Sequence, residues 1–161
     1  MSELKNWQEI TVIRGDPELG CIPASFEWLI RHSRITGGFL DSFQEDFNLQ
    51  RKGIDYNNFE TISRAVKYKF PNLDISSKEF GNGEEKINFI REKTEKDIAC
   101  LLSLALTERG GWHIMPLIFI DDNKIKLKDG LTIREIDTEE VIRRHDTWPG
   151  GKDVSWLERT K

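Results

Sequence analysis

The fold is decided by two almost wholly apolar stretches, DIACLLSLAL at residues 97–106 and WHIMPLIFI at residues 112–120. Apolar runs of this length predict β-strands that are covered on both faces of a sheet. Gly110 and Gly111, which lie between the two stretches, predict a turn. Pro116 cannot donate a backbone hydrogen bond to a neighbouring strand, so it predicts an edge or a bulge within the second stretch.

More strands are predicted towards the carboxyl terminus. Residues 124–129, 132–136 and 154–157 have the composition of strands, and the acidic cluster at residues 121–123 predicts a turn. A short helix is predicted to begin at Thr138, before the last of these strands. The carboxyl-terminal half is therefore expected to form most of a sheet.

The amino-terminal half is predicted to be mainly helical. Helices are expected at about residues 23–32 and 84–95, and apolar residues also follow roughly helical spacing at residues 39–49 and 59–70. A short strand is expected near residues 73–75, and the residues up to Leu19 have no regular pattern. Because no linker or repeat interrupts the chain, the sequence predicts a single α+β domain spanning residues 1–161. Its helical amino-terminal half is expected to pack on a carboxyl-terminal antiparallel sheet.

Composition narrows the class of protein. The 161 residues carry 28 acidic and 24 basic side chains, a formal net charge of −4. The chain has no stripe of basic residues interleaved with aromatic ones, and both observations argue against a nucleic-acid partner. No apolar stretch approaches the roughly 20 residues of a membrane span, and no basic-then-apolar leader follows Met1. The two cysteines, with no spacing typical of a zinc site, predict a cytoplasmic protein with free thiols and without a metal or cofactor.

Cys21 is the candidate nucleophile, since it stands at the expected start of the first helix. The positive end of a helix dipole is equivalent to roughly half an elementary charge. With a cationic neighbour it can lower the pKa of a thiol from about 8.5 into the range of about 3.5–7.5. Because the thiolate is the reactive form, this position favours a catalytic role.

A catalytic thiol needs a base, and the chain has three histidines. His32 follows Cys21 by eleven residues on the same expected helix, which separates them by roughly 16 Å, and we expect it to interact with carbonyls at the helix end. His145 follows a helix, and we expect it at the surface. His113 begins a strand and is the candidate base, the alternative being a core histidine whose hydrogen bonds are satisfied.

Asp129 is the candidate acid that orients His113. In residues 124–129 lysines alternate with apolar residues, so Asp129 shares the inward face with Ile125 and Leu127. A two-residue turn at residues 122–123 would pair Asp129 with Pro116, on the face opposite to His113. The triad therefore requires a longer turn or a bulge; the alternative is that Asp129 only begins the turn at Gly130.

These motifs resemble those of the papain-fold cysteine peptidases, especially the double-glycine-leader peptidases of the bacteriocin-processing type. Cys21 with PAS at residues 23–25 resembles their nucleophile segment, GWHIM at residues 111–115 resembles their histidine strand, and Asp129-Gly130 resembles their acidic third member. The motifs come in the family's order and cover most of the chain.

The resemblance implies a cysteine hydrolase, either a peptidase or an isopeptidase, that cleaves a peptide or protein substrate through an acyl-thioester. Cys21 would be the nucleophile, His113 the general acid and base, and Asp129 the orienting group. The backbone N–H of Cys21 would be one oxyanion donor. The family takes a second donor from a glutamine shortly before the cysteine, but residues 14–20 contain none, which leaves Gln8 as the candidate.

Two alternatives stay open at this stage. One is a non-proteolytic acyl-transfer enzyme, an amidase, deamidase or transglutaminase, that uses the same three residues. The other is a binding module on a decayed peptidase scaffold, which the missing glutamine favours. The sequence specifies neither the substrate nor the oligomeric state.

Overall fold

The structure is a computed structural model that describes residues 2–10, 21–34, 38–41, 43–46 and 59–159. It has a mixed α+β fold built on one seven-stranded antiparallel sheet, with the order β2-β7-β3-β4-β5-β6 and with β1 paired to β4. The strands are β1 (Ser2–Glu3), β2 (Leu73–Glu79), β3 (Cys100–Thr107), β4 (Gly110–Ile120), β5 (Lys124–Asp129), β6 (Thr132–Asp137) and β7 (Asp153–Arg159). The predicted α+β class is confirmed.

Helices lie both before and between these strands. They are α1 (Cys21–His32), α2 (Gly38–Asp41), α3 (Phe43–Asp46), α4 (Phe59–Lys69), α5 (Gly83–Glu95) and α6 (Thr138–Thr147), and a short 3-10 helix spans Trp7–Glu9. The irregular segment predicted up to Leu19 lies outside the described residues from position 11 onwards, as do positions 47–49 of the second helical pattern. None of the helices in the described ranges is long and apolar enough to cross a membrane.

The two apolar stretches form the centre of the sheet, and both of their faces are covered as predicted. Leu101 and Ile114 belong to one buried cluster, together with α1 and α4. Leu102, Leu104 and Met115 belong to a second cluster on the other face, together with α5 and α6. Alternation along each strand explains why both faces of β3 and β4 are apolar.

The division into a helical half and a sheet half is less strict than the sequence predicted. Both β1 and β2 come from the amino-terminal half and join the same sheet, β2 as an edge strand. The predicted strand at residues 73–75 extends to Glu79 because β7 pairs with it along its whole length. Long-range pairing of this kind leaves little local signal in the sequence.

Candidate active site

The structure brings His113 and Asp129 together. The Nε2 atom of His113 lies 3.1 Å from Oδ1 of Asp129, and the two side chains are 27% and 25% exposed. Because a carboxylate can only accept, this geometry requires the imidazole to carry a proton on Nε2. The pair therefore has the arrangement in which an acid orients a histidine and stabilises its charged form.

A β-bulge produces this contact. Next to the turn between β4 and β5, Ile120 pairs with Ile125, which is the register of a two-residue turn. Between Phe119 and Leu117 this register shifts by one residue, so that Leu117 pairs with Leu127. Continued along β4, the shifted register sets Asp129 beside Met115, on the same face as His113. The expectation that the contact needs a longer turn or a bulge is confirmed, and Pro116 adjoins the bulge.

Arg134 completes a three-residue cluster at this end of the sheet. Its Nη2 atom donates to Oδ2 of Asp129 over 2.7 Å, so the two carboxylate oxygens serve two different partners. Sequence reasoning missed Arg134, although a signal exists. A two-residue turn at Gly130-Leu131 sets Arg134 opposite Leu127, which is on the face of Asp129.

Cys21 is the first residue of α1, although its side chain lies outside the described part of the structure. One helical turn further on, the Ser25 hydroxyl donates to the carbonyl of Ile114 over 3.1 Å, in a buried contact with the residue that follows His113. The other end of α1 lies near the far end of β4. There His32 Nε2 is 3.2 Å from the Lys5 carbonyl, and the neighbouring N–H of Leu4 donates to Ile118.

These anchors orient α1 along β4. Ser25 is fixed beside Ile114, and the chain near His32 is fixed beside Ile118, so the helix and the strand run in the same direction. Cys21 precedes Ser25 by one turn, a rise of roughly 6 Å. The helix start therefore lies towards the end of β4 that carries His113.

The first half of β4 has no strand partner on the side of β5. The described pairing between β4 and β5 begins at Leu117, so no β5 partner is recorded for the first half of β4. A strand edge without a partner exposes backbone groups that need hydrogen bonds elsewhere. The Ser25 hydroxyl donates to the Ile114 carbonyl, which fixes the amino-terminal half of α1 next to the residue that follows His113. The His113 side chain shares the face of Met115, whereas α1 packs with Ile114 on the other face of the sheet.

The first turn of α1 determines the part of the electrostatic setting of Cys21 that lies within the described residues. The first turn of α1 contains no acidic residue, so no side chain there offsets the positive end of the dipole. Glu27 comes a turn and a half later and is buried, with its carboxylate bound by Arg31 at 2.8 Å and by Gln44 at 3.0 Å. Its charge is therefore paired with that of Arg31.

Gln8, the candidate second oxyanion donor, is not brought to this pair. It is exposed in the 3-10 helix Trp7–Glu9. Its neighbour Trp7 lines a surface cavity with Ile118 and Phe119. Because Ile118 follows His113 by five residues, strand rise separates these two positions by roughly 17 Å.

The surface role predicted for His145 is wrong. This side chain is 2% exposed, its Nε2 lies 2.9 Å from the Phe80 carbonyl, and Lys86 Nζ lies 3.5 Å from its Nδ1. Burial, followed by the charge of Lys86, lowers the pKa of His145. His145 is buried because it shares one face of α6 with Thr138 and Val141, at the spacing of an inward-facing stripe.

His32 lies at the end of α1, as predicted, but its partner is different. It contacts the carbonyl of Lys5 rather than a carbonyl of the helix end, and its ring stacks on Trp28 with 5.7 Å between centroids. Burial lowers the pKa of His32, and the Lys5 contact acts in the opposite direction.

Cys100 is a buried cysteine in the centre of the sheet. It is 1% exposed within β3, and burial raises the pKa of its thiol to about 12. A thiol of this kind is chemically inert at neutral pH. Within the described ranges, no group of three or more histidine, cysteine, aspartate or glutamate side chains is arranged to hold a metal ion.

No protein-family model matches the chain, and no curated protein matches it significantly.

Proposed function

We propose that this protein is a papain-like cysteine hydrolase, a peptidase or isopeptidase, that uses Cys21, His113 and Asp129. The observation that carries the proposal is the 3.1 Å contact between His113 and Asp129, together with a helix that begins at a cysteine and is hydrogen-bonded to Ile114, the residue after His113. A helix-start thiol, an imidazole and an orienting carboxylate are the three parts of a cysteine triad. The packing of that helix along an antiparallel sheet supports the papain-like fold.

The geometry suggests how the reaction would proceed. Because Nε2 of His113 faces Asp129, Nδ1 is the nitrogen that would take the thiol proton of Cys21. The thiolate would attack the acyl carbon, and the backbone N–H of Cys21 would donate to the oxyanion. His113 would then protonate the leaving amine, and water would hydrolyse the thioester and restore the thiol.

The proposed setting is the cytoplasm, with a peptide or protein as substrate and with no metal or cofactor. Cys100 is a free cysteine, which supports a reducing compartment.

The test compares the two cysteines of one chain. Wild-type protein is treated with iodoacetamide at pH 5.5 to 8, and the alkylation of Cys21 and Cys100 is followed by peptide mass spectrometry. We expect Cys21 to react at pH 6 at least about tenfold faster than a thiol with a pKa near 8.5. His113→Ala should abolish this advantage. Cys100 should stay unreacted in the folded protein, so it reports any unfolding in the variants.

Either of two results would contradict the proposal. One is a Cys21 that reacts no faster than a free thiol, and the other is a fast rate that survives in His113→Ala. If Cys21 is activated, products from peptide and isopeptide substrates with and without an added amine distinguish hydrolysis from acyl transfer.

A binding module on a decayed peptidase scaffold is the second candidate. The position of Gln8, near the opposite end of β4 from His113, favours it because losing one oxyanion donor costs about 100- to 1000-fold in rate. An unreactive Cys21 in a folded protein would support this reading.

A further inference from the structure

We propose that Arg134 is a positioning residue that holds Asp129 in place for His113 and sets the pH at which the His113 ring titrates. The inference rests on the proposed function, because it assigns a further residue to the same site. It is carried by one shared carboxylate, which receives Arg134 Nη2 on Oδ2 at 2.7 Å and faces His113 Nε2 with Oδ1 at 3.1 Å.

Arg134 restricts the rotation of the Asp129 side chain. A carboxylate with a single partner can turn about its terminal torsion, which is broad for aspartate. Here the second oxygen is fixed by a charge-assisted bond from the neighbouring strand β6, so turning Oδ1 away from His113 would also break the shorter contact. Arg134 and Asp129 lie on one face of two paired strands, and the backbone register holds their separation.

Arg134 also offsets the charge of Asp129. A lone carboxylate beside an imidazole favours the protonated ring, and a cation on the other oxygen opposes this effect. The guanidinium and imidazole nitrogens are on the order of 8 Å apart, since one carboxylate bridges them. Effective dielectric constants between about 20 and 80 then give an effect of roughly 0.4 to 1.5 pH units on the ring titration.

Exposed ion pairs usually contribute little, and Arg134 is 46% exposed. This pair differs because Asp129 is 25% exposed and also binds His113. The effect we infer is on the titration of His113 and not on the stability of the fold.

The experiment is an NMR titration of the His113 ring in a Cys21→Ser background, where no thiolate perturbs the ring. His113→Ala identifies the resonance. We expect Arg134→Met to raise the titration midpoint by roughly 0.4 to 1.5 pH units. We expect Arg134→Lys, which keeps the charge, to raise it by less than half as much. A rise in both variants by the same amount or no change in Arg134→Met would overturn the inference. A fall in Arg134→Met would overturn the charge effect, because loss of the Asp129 contact lowers the midpoint and would then outweigh the loss of the positive charge.

Lys67→Met is the matched control. Lys67 is 48% exposed and its Nζ lies 2.7 Å from Asp74, so the pair has the same length and similar exposure, but it involves β2 at the opposite edge of the sheet. Lys67→Met removes one positive charge and should leave the titration midpoint of His113 unchanged. If Lys67→Met raised the midpoint as much as Arg134→Met does, the effect would be one of net charge and the inference would be overturned. The ring titration does not need a reactive cysteine. A failure of the proposed function therefore appears in the alkylation of wild-type Cys21, and a failure of this inference appears in the midpoint.

Discussion

Replacing Lys86 should remove much of the pH dependence of stability between neutral and alkaline pH. Lys86 is a residue of α5, and its side chain is buried against the sheet, with 1% exposed. Its Nζ donates to the carbonyls of Ser103 and Gly151, both at 2.6 Å, and lies 3.5 Å from Nδ1 of His145. Burial lowers the pKa of Lys86 to about 7; Asp153 acts in the opposite direction, and Lys152 acts in the same direction as burial.

The sign follows from proton binding. A lysine with a pKa near 7 in the folded state and 10.5 in the unfolded state binds fewer protons when folded. The free energy of unfolding therefore rises with pH between these two values, by at most about 1.4 kcal/mol per pH unit. From pH 7.5 to 9.5 the expected gain from Lys86 is on the order of 2 kcal/mol.

Cys100 opposes this gain. The pKa of its thiol is raised from 9.0 to about 12 in the folded protein, so stability is lost as pH rises above 9. The measurement is therefore made in a Cys100→Ala background, where urea unfolding at pH 7.5, 8.5 and 9.5 is compared with and without Lys86→Met. We expect the rise in the free energy of unfolding to disappear with Lys86→Met. The reasoning would be refuted if the free energy of unfolding changed with pH at the same slope, within about 0.3 kcal/mol per pH unit, with and without Lys86→Met.

Two further predictions concern the loop before β7 and the acid of the candidate site. Gly151 has a φ of +65°, so the left-handed backbone alone should lower the Tm of Gly151→Ala by about 2–8 °C. A Cβ there would also lie 2.4 Å from the backbone nitrogen of Ala105, and this clash should lower the Tm further. Gly81→Ala, where a Cβ meets nothing within 4 Å, is the control and should change it little; equal effects in a thermal melt would contradict the steric argument. Asp129→Asn should slow the alkylation of Cys21 at pH 6 at least about tenfold with an unchanged melt, because the charge that favours the protonated His113 ring is lost. An unchanged rate would remove Asp129 from the site.

The sequence was sufficient to predict the elements in which the local hydrophobic pattern agrees with burial in the structure. Residues 97–106 and 112–120 are apolar on both faces, and they form the central strands β3 and β4. Asp129 was identified because a lone acid on an inward face is costly without a partner. Its contact with His113, however, depended on a register that one residue could reverse, and only the structure shows where the shift occurs.

The missed residues share a different cause. Arg134 and Lys86 lie within charged stretches that are typical of solvated surfaces, and their partners are many residues away or on another strand. His145 was assigned to the surface because it was expected to follow the helix, whereas it lies within α6 and the spacing from Val141 places it on the buried face. Charge composition describes the average environment of a segment, and periodicity is the better guide to a single position.

A local irregularity in the sheet links the fold to the candidate chemistry. Pro116 has no N–H to donate, and the recorded ladder to β5 begins at the next residue. A regular ladder continued from Ile120 would turn Asp129 to the face opposite His113. The bulge therefore brings the acid to the base, and Ser25 fixes α1 to Ile114 in the part of β4 that precedes the bulge. A sheet without this irregularity would not provide the acid–base pair, which is why the proposed activity depends on the bulge.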